Sequence, residues 1–221
     1  MAQPKEDRRI RRTRQLLGTA LLKLIEERGY DSLTINDITE QANIGRATFY
    51  LHYQDKEQLL VESLEDMLSQ LGEMINPLSE VLREQNSITA TRLVFQHFAD
   101  HHRLYQVLLT EKGAAMVFPR LLEILSQIAE QDVISKEVNQ PQMGIPANLV
   151  AHHVAGALLG LVVWWLNNDR PYSVEQMAAI YGHLMDPGAT KVLGIVGAEL
   201  PDLSDVLTRG NTPMFNKQNP I

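Results

Sequence analysis

The sequence predicts an all-α protein of about nine helices, and three observations carry that expectation. Apolar residues recur at spacings of three, four and seven along most of the chain. No stretch of four to eight residues alternates cleanly between apolar and polar, and the Asn-Gly and Asp-Gly pairs that close tight hairpins are absent. Side chains that start or stop helices stand at the ends of the apolar stripes. The 221 residues are 44% apolar and 21% charged, ordinary for a folded chain, which excludes collagen-like, low-complexity and largely disordered readings.

The first stripe is Ile10, Leu17, Ala20, Leu21, Leu24 and Ile25, a helix over about 8–28 stopped by Gly29. Thr34, with Asp37 three places on, reads as a capping box ahead of Ile35, Ile38 and Ala42, so a two-turn helix follows. Asn43 tolerates a left-handed backbone, Ile44 can plug the core, and Gly45 lets another short helix start at once with Arg46, Ala47, Thr48, Phe49, Tyr50 and Leu51. Two short helices joined by so tight a turn form the helix-turn-helix pattern. A long helix is expected from Asp55, with Leu59, Leu60, Leu64, Met67, Leu68 and Leu71 inward, ended or kinked at Pro77.

Further helices are expected over about 88–109, with a break near His102, and over about 114–130. Residues 133–146, with Pro141, Gly144 and Pro146, read as a loop. Pro146 suits the first position of the next helix, which runs to Asn168. Ser173 and Gln176 form another capping box before a helix reaching Met185, and the end from Thr208 reads as a mobile tail. The expected domains are 8–68, a helix-turn-helix head; 69–190, a helical body; and 191–221, a partly disordered extension.

Charge separates head from body. The net charge is −7, yet the first 60 residues carry 10 Lys/Arg against 9 Asp/Glu, and the first 14 alone hold six basic residues against two acidic. A basic end on an acidic body suits an anionic partner such as a nucleic-acid backbone; a solvated basic helix start is the plainer alternative. Zero cysteines remove disulfide scaffolds and thiolate chemistry, which fits a reducing cytoplasm. The longest apolar run, Val154 to Leu166, is 13 residues, short of the ~18 to 20 that span a bilayer, so no membrane partner is expected.

The segments Gly29 to Ile38, Ala42 to Tyr53 and Lys56 to Leu60 together resemble the DNA-binding domain of the TetR (tetracycline repressor) family, over about residues 8–65. Family members commonly have Ser at the position of Gly45, Gly at that of Ala47 and Phe at that of Tyr53. The resemblance implies a homodimer that places two recognition helices in successive major grooves of an imperfect palindrome in double-stranded DNA. It also implies a helical C-terminal domain for dimerisation and for binding a small-molecule effector.

On that reading Arg46 has the planar fork that grips guanine O6 and N7, and Ala47 can lie against a thymine methyl. Thr48, Tyr50, His52 and Lys56 match positions that hold phosphates in the family, and their donors suit that task. The missing hydroxyl at Gly45 removes one such contact. Thr34 can offer backbone N–H groups to a phosphate, Asn36 can reach a phosphate or a groove edge, and Arg8, Arg9, Arg11 and Arg12 can add backbone or minor-groove contacts. Phe49 and Tyr53 read as core.

In the body, Ala147 to Asn168 is apolar nearly all round, with Ala155, Gly156, Ala157 and Gly160 allowing close approach. It is either half of a four-helix dimer seam with the helix from Ser173 or a core helix of one subunit. Candidate pocket walls are Tyr105, Leu108, Met116, Phe118, Leu122, Leu158, Val162, Trp164 and Trp165, each equally explicable as core. His97 with His101, and His152 with His153, have spacings open to metal, but the His-Glu-x-x-His pattern is absent, and solvated or hydrogen-bonded histidines are the expectation. No phosphate-cradling loop or nucleophile elbow appears. The expectation is therefore a cytoplasmic, ligand-responsive repressor without enzymatic activity, cofactor or metal. An activator or partner-dependent regulator of the same fold, and a helical metal-dependent hydrolase, are the alternatives.

Overall fold

The computed structural model describes residues 8–81, 87–109, 111–136 and 146–185, and among them every regular element is a helix. The N-terminal segment before Arg8, the Pro141 and Gly144 part of the expected loop, and the expected tail lie outside the described residues.

α1 (Arg8–Arg28) buries Leu17, Ala20, Leu21, Leu24 and Ile25 along one stripe. It stops where Gly29 adopts φ 77°, a left-handed conformation that costs glycine least, and its N–H donates to the Ile25 carbonyl at 2.9 Å. α2 (Ile35–Ala42) opens on the Thr34–Asp37 capping box and closes on Asn43 in the left-handed conformation. α3 (Arg46–Tyr50) has only five residues. α4 (Lys56–Val81) contributes Leu59, Leu60, Leu64, Leu68 and Leu71 to the interior.

α5 (Ser87–Asp100) and α6 (His102–Leu108) are separated at His101, next to the expected break. α7 (Glu111–Lys136), α8 (Ala147–Asn167) and α9 (Val174–Met185) complete the order. Two compact units result. One takes the described residues up to Gln70 together with Arg103–Leu121; the other takes Leu71–His102 and the described residues from Leu122 onward.

Four boundaries depart from the sequence expectation. α4 continues through Pro77 to Val81, because a proline removes one N–H bond and need not end a helix supported on either side. α7 begins earlier and ends later than 114–130, so residues 133–136 are helical instead of loop; no proline or glycine interrupts the chain there before Pro141. Pro146 has ψ 138° and caps α8 from outside, with Asn168 as the C-cap. α8 also has a mean hydropathy of 1.8 over an 18-residue window, long and apolar enough to cross a membrane by length and composition, with 44% of that window buried. Counting only the unbroken run understated it, because a single polar residue resets a run but barely moves an average.

In the second unit α5 packs on α9, and Phe95 meets Trp165 of α8 edge-on at 5.6 Å between centroids. The polar tips are satisfied: Trp165 Nε1 donates to the Tyr172 carbonyl at 2.8 Å, and the Tyr181 hydroxyl donates to the Val154 carbonyl at 2.9 Å. Burial pushes the Tyr181 hydroxyl pKa up, so it remains a neutral donor.

In the first unit α1 approaches α4 at buried Gly18, where an added Cβ would stand 2.7 Å from Ser63 Oγ. That hydroxyl already donates to the Leu59 carbonyl. Gly18→Val should therefore destabilise this unit by about 1 to 3 kcal/mol through overpacking, read as a lowered urea midpoint at unchanged slope.

Candidate nucleic-acid interface

A five-residue helix cannot stabilise itself in water, so α3 is held by packing. Phe49 is fully buried, and its ring lies 5.7 Å from Tyr53, which is 4% exposed; both are core, as the sequence reading has them. With Phe49 inward, helical geometry turns Ala47 to the opposite side, and Arg46, Ala47 and Tyr50 are all exposed. Leu51, at the C-cap, is 80% exposed. The sequence reading gave Leu51 no role; its one available signal was an apolar residue out of phase with the stripe that ends in Phe49.

Arg46 joins two helices. Its Nη1 donates to Asn36 Oδ1 of α2 at 3.4 Å and its Nη2 to the Tyr50 hydroxyl at 3.2 Å, and the guanidinium carbon lies 5.6 Å from the Tyr50 ring centroid. Arg46, Asn36 and Tyr50 thus form one cluster, although 10 positions separate Asn36 from Arg46.

The remaining site candidates are placed differently. Gly45 is exposed at the N-cap with φ −66°, so its backbone does not require glycine, and no side chain caps α3. Thr48 and His52 are half-buried. Lys56 turns back toward its own domain: Nζ donates to the Tyr30 and Leu33 carbonyls at 3.0 and 2.8 Å and lies 4.4 Å from the Tyr30 ring centroid. An ammonium has three donors, so one remains for a phosphate. Burial, then the carboxylates of Glu57, Asp55 and Asp31, raise the Tyr30 pKa to about 12.

Thr34 is similarly engaged. Its N–H donates to Asp37 Oδ2 at 2.8 Å, its hydroxyl meets the same oxygen, and the Asp37 N–H donates back to Thr34 Oγ1. The hydrogen bonds from Thr34, aided by Arg28 at 3.7 Å, hold the Asp37 carboxyl below the usual aspartate range. Arg14 pairs with Glu62 at 3.6 Å and lies 5.9 Å from the Tyr53 ring centroid, which fixes α1 against the start of α4.

The candidate pocket residues divide between the two units. Tyr105, Leu108, Met116 and Phe118 belong to the first; Leu122, Leu158, Val162, Trp164 and Trp165 belong to the second. Tyr105, Leu108, Leu158, Val162 and Trp165 are buried, whereas Trp164 is 39% exposed and stacks on Tyr172. Among the described residues no three His, Asp or Glu side chains are grouped to hold a metal ion. His97 and His101 have ring centroids 5.0 Å apart, and burial, reinforced by His101, lowers the His97 pKa to about 4. His152 Nδ1 lies 3.2 Å from Ser126 Oγ.

An exposed arginine and phenol on a short helix, met by an amide from the capped helix that precedes it, define the class: a helix-turn-helix protein. Residues 19–62 match the family described as bacterial regulatory proteins, tetR family, and residues 85–187 match a transcriptional regulator C-terminal region. The chain belongs to the tetR family of bacterial regulators. It is 28% identical over 192 residues to the uncharacterized HTH-type transcriptional regulator YxbF of Bacillus subtilis (strain 168), covering 85% of this chain and 48% of YxbF, so the chain spans about half the length of that relative.

Among solved structures, a TetR-family regulator from Syntrophomonas wolfei shares the fold with a TM-score of 0.64 at 21% identity, covering 85% of this chain and 99% of its own. RolR in complex with resorcinol gives 0.59 at 26% identity, covering 88% and 98%.

The cap gives the interface a pH signature. A carboxyl whose folded pKa is depressed stabilises above its ordinary value, and that contribution is lost as pH falls through the folded value. Stability of the first unit should drop with acid in the window below about pH 4. Asp37→Asn should lose this dependence, as measured by urea unfolding at several pH values.

Proposed function

We propose that the chain is a homodimeric, sequence-specific transcriptional regulator that binds a palindromic operator in double-stranded DNA and is released by a small-molecule effector. The observation that carries this reading is the surface of α3, where Arg46, Ala47 and Tyr50 are exposed while Phe49 is buried. Arg46 grips guanine, Ala47 and Leu51 offer apolar atoms to thymine methyls, and Thr48, Tyr50, His52, Asn36 and the residual donor of Lys56 serve phosphates or groove edges. Thr34 acts through its cap, which orders the N-terminus of α2, and the exposed Gly45 leaves backbone close to the duplex. Occupying about one turn of duplex per half-site excludes other proteins, which favours a repressor, and nothing in this reading requires catalysis, a cofactor or a metal.

Dimerisation is supported by one exposed stripe on α8. Leu149 is 60% exposed and Trp164 39%, His153 and Gly160 are also exposed, and Leu184 of α9 is 65% exposed. Ala155 is buried and does not belong to that stripe. A second copy covering it explains why so apolar a helix is only partly buried, and it assigns α8 to a cytoplasmic protein instead of a membrane. The effector reading rests on the family and on the resorcinol held by RolR; Leu122, Leu158, Val162 and Trp165 are the wall candidates of the second unit. Releasing DNA 100-fold would take about 2.7 kcal/mol of coupling.

Selection of duplexes from a random pool tests the DNA reading: an enriched palindrome with half-sites about 34 Å apart is expected, and no enrichment would refute it. Arg46→Ala should cost about 1 to 3 kcal/mol in operator binding and relax base choice at one position of each half-site, read by anisotropy titration. A Cβ at Gly160 would meet nothing within 4 Å, so Gly160→Glu should fold normally yet sediment as a monomer where the parent sediments as a dimer.

A further inference from the structure

We propose that Asn36 and Tyr50 are positioning residues for Arg46, which set base choice by holding its guanidinium ready for a guanine and not through sequence-reading contacts of their own. The inference rests on the DNA-binding reading above and goes further, since that reading treats Asn36 and Tyr50 as independent contacts. A guanidinium only donates, so the Asn36 group facing Arg46 at 3.4 Å must be its oxygen, and Nδ2 points away. The Tyr50 hydroxyl accepts from Nη2 at 3.2 Å, which leaves its own proton to be donated onward, while the ring lies beneath the guanidinium carbon at 5.6 Å. Arg46 is thus held from α2 on one side and from within α3 on the other.

Five donors less two leaves three, enough for the paired contacts to O6 and N7. A free arginine must give up rotamer freedom to make those contacts, whereas one already bracketed gives up less. Asn36, Arg46 and Tyr50 are all exposed, so in the free protein both bonds compete with water and add little to stability. Their effect emerges in the groove, where water is excluded and each bond strengthens. A purely structural role would leave such a bracket at the protein surface without consequence for base choice.

The test uses the full chain and the half-site enriched from the random pool, with guanine or adenine at the position that Arg46→Ala relaxes. The measured quantity is the ratio of the two affinities by anisotropy titration, with thermal unfolding as the folding control. Asn36→Ala and Tyr50→Phe should each lower the guanine preference about 3- to 10-fold and should change nothing further in an Arg46→Ala background. Asn36→Asp keeps the acceptor, so it should keep the preference even as its charge weakens binding to both duplexes.

The inference fails if Asn36→Ala weakens both duplexes equally, if its effect persists undiminished without Arg46, or if Asn36→Asp loses the preference as fully as Asn36→Ala. Those results would make Asn36 a donor with a contact of its own. A pool with no enriched sequence would overturn the DNA-binding reading, and this inference with it, whereas an enriched half-site with additive effects would overturn this inference alone.

Discussion

The burial of Phe49 is the constraint on which the interface depends. Five residues form too few hydrogen bonds to offset the ordering of their backbone, so α3 exists only while an aromatic ring anchors it to the core formed with Tyr53. Anchoring one face frees another: at about 100° per residue Ala47 lies opposite Phe49 and Tyr50 to one side, while Arg46, three residues before Phe49, is itself exposed. The surface that can read base edges is thus a by-product of how the small domain packs, and weakening the anchor would weaken recognition without touching any contacting atom.

Around that anchor the polar groups divide into those that hold the domain and those left for a partner. Lys56 ties the start of α4 to the segment ahead of α2 through two carbonyls, and Thr34 with Asp37 closes the first turn of α2. Arg14 fastens α1 by a carboxylate and an aromatic ring. Lys56 and Thr34 each carry a donor that a phosphate could accept from, and each spends most of its hydrogen-bonding capacity within the protein. Arg46 differs in that its intramolecular bonds leave its fork largely available.

Much of this was legible in the sequence because it is local. The Thr34–Asp37 box, the left-handed Asn43, the stop at Gly29 and the Ser173–Gln176 box each depend on residues within four positions, and all four form as their spacing implies. The apolar period likewise placed Leu17, Leu24, Phe49 and Leu64 inside. Boundaries were less legible. Pro77 and residues 133–136 read as interruptions, but helix ends depend on packing and on the next true breaker as much as on composition.

What the sequence determined by itself, then, was the kind of elements and their order, since period and capping are properties of neighbouring residues. Only the tertiary structure decided which donors remain available. That Asn36 meets Arg46, that Lys56 bends back to Tyr30 and Leu33, and that Trp165 is buried while Trp164 stays exposed follow from how separate helices lie against one another. Hydrogen bonds between residues 10 to 26 positions apart have no local signature, because they arise from relative placement in space and not from spacing along the chain.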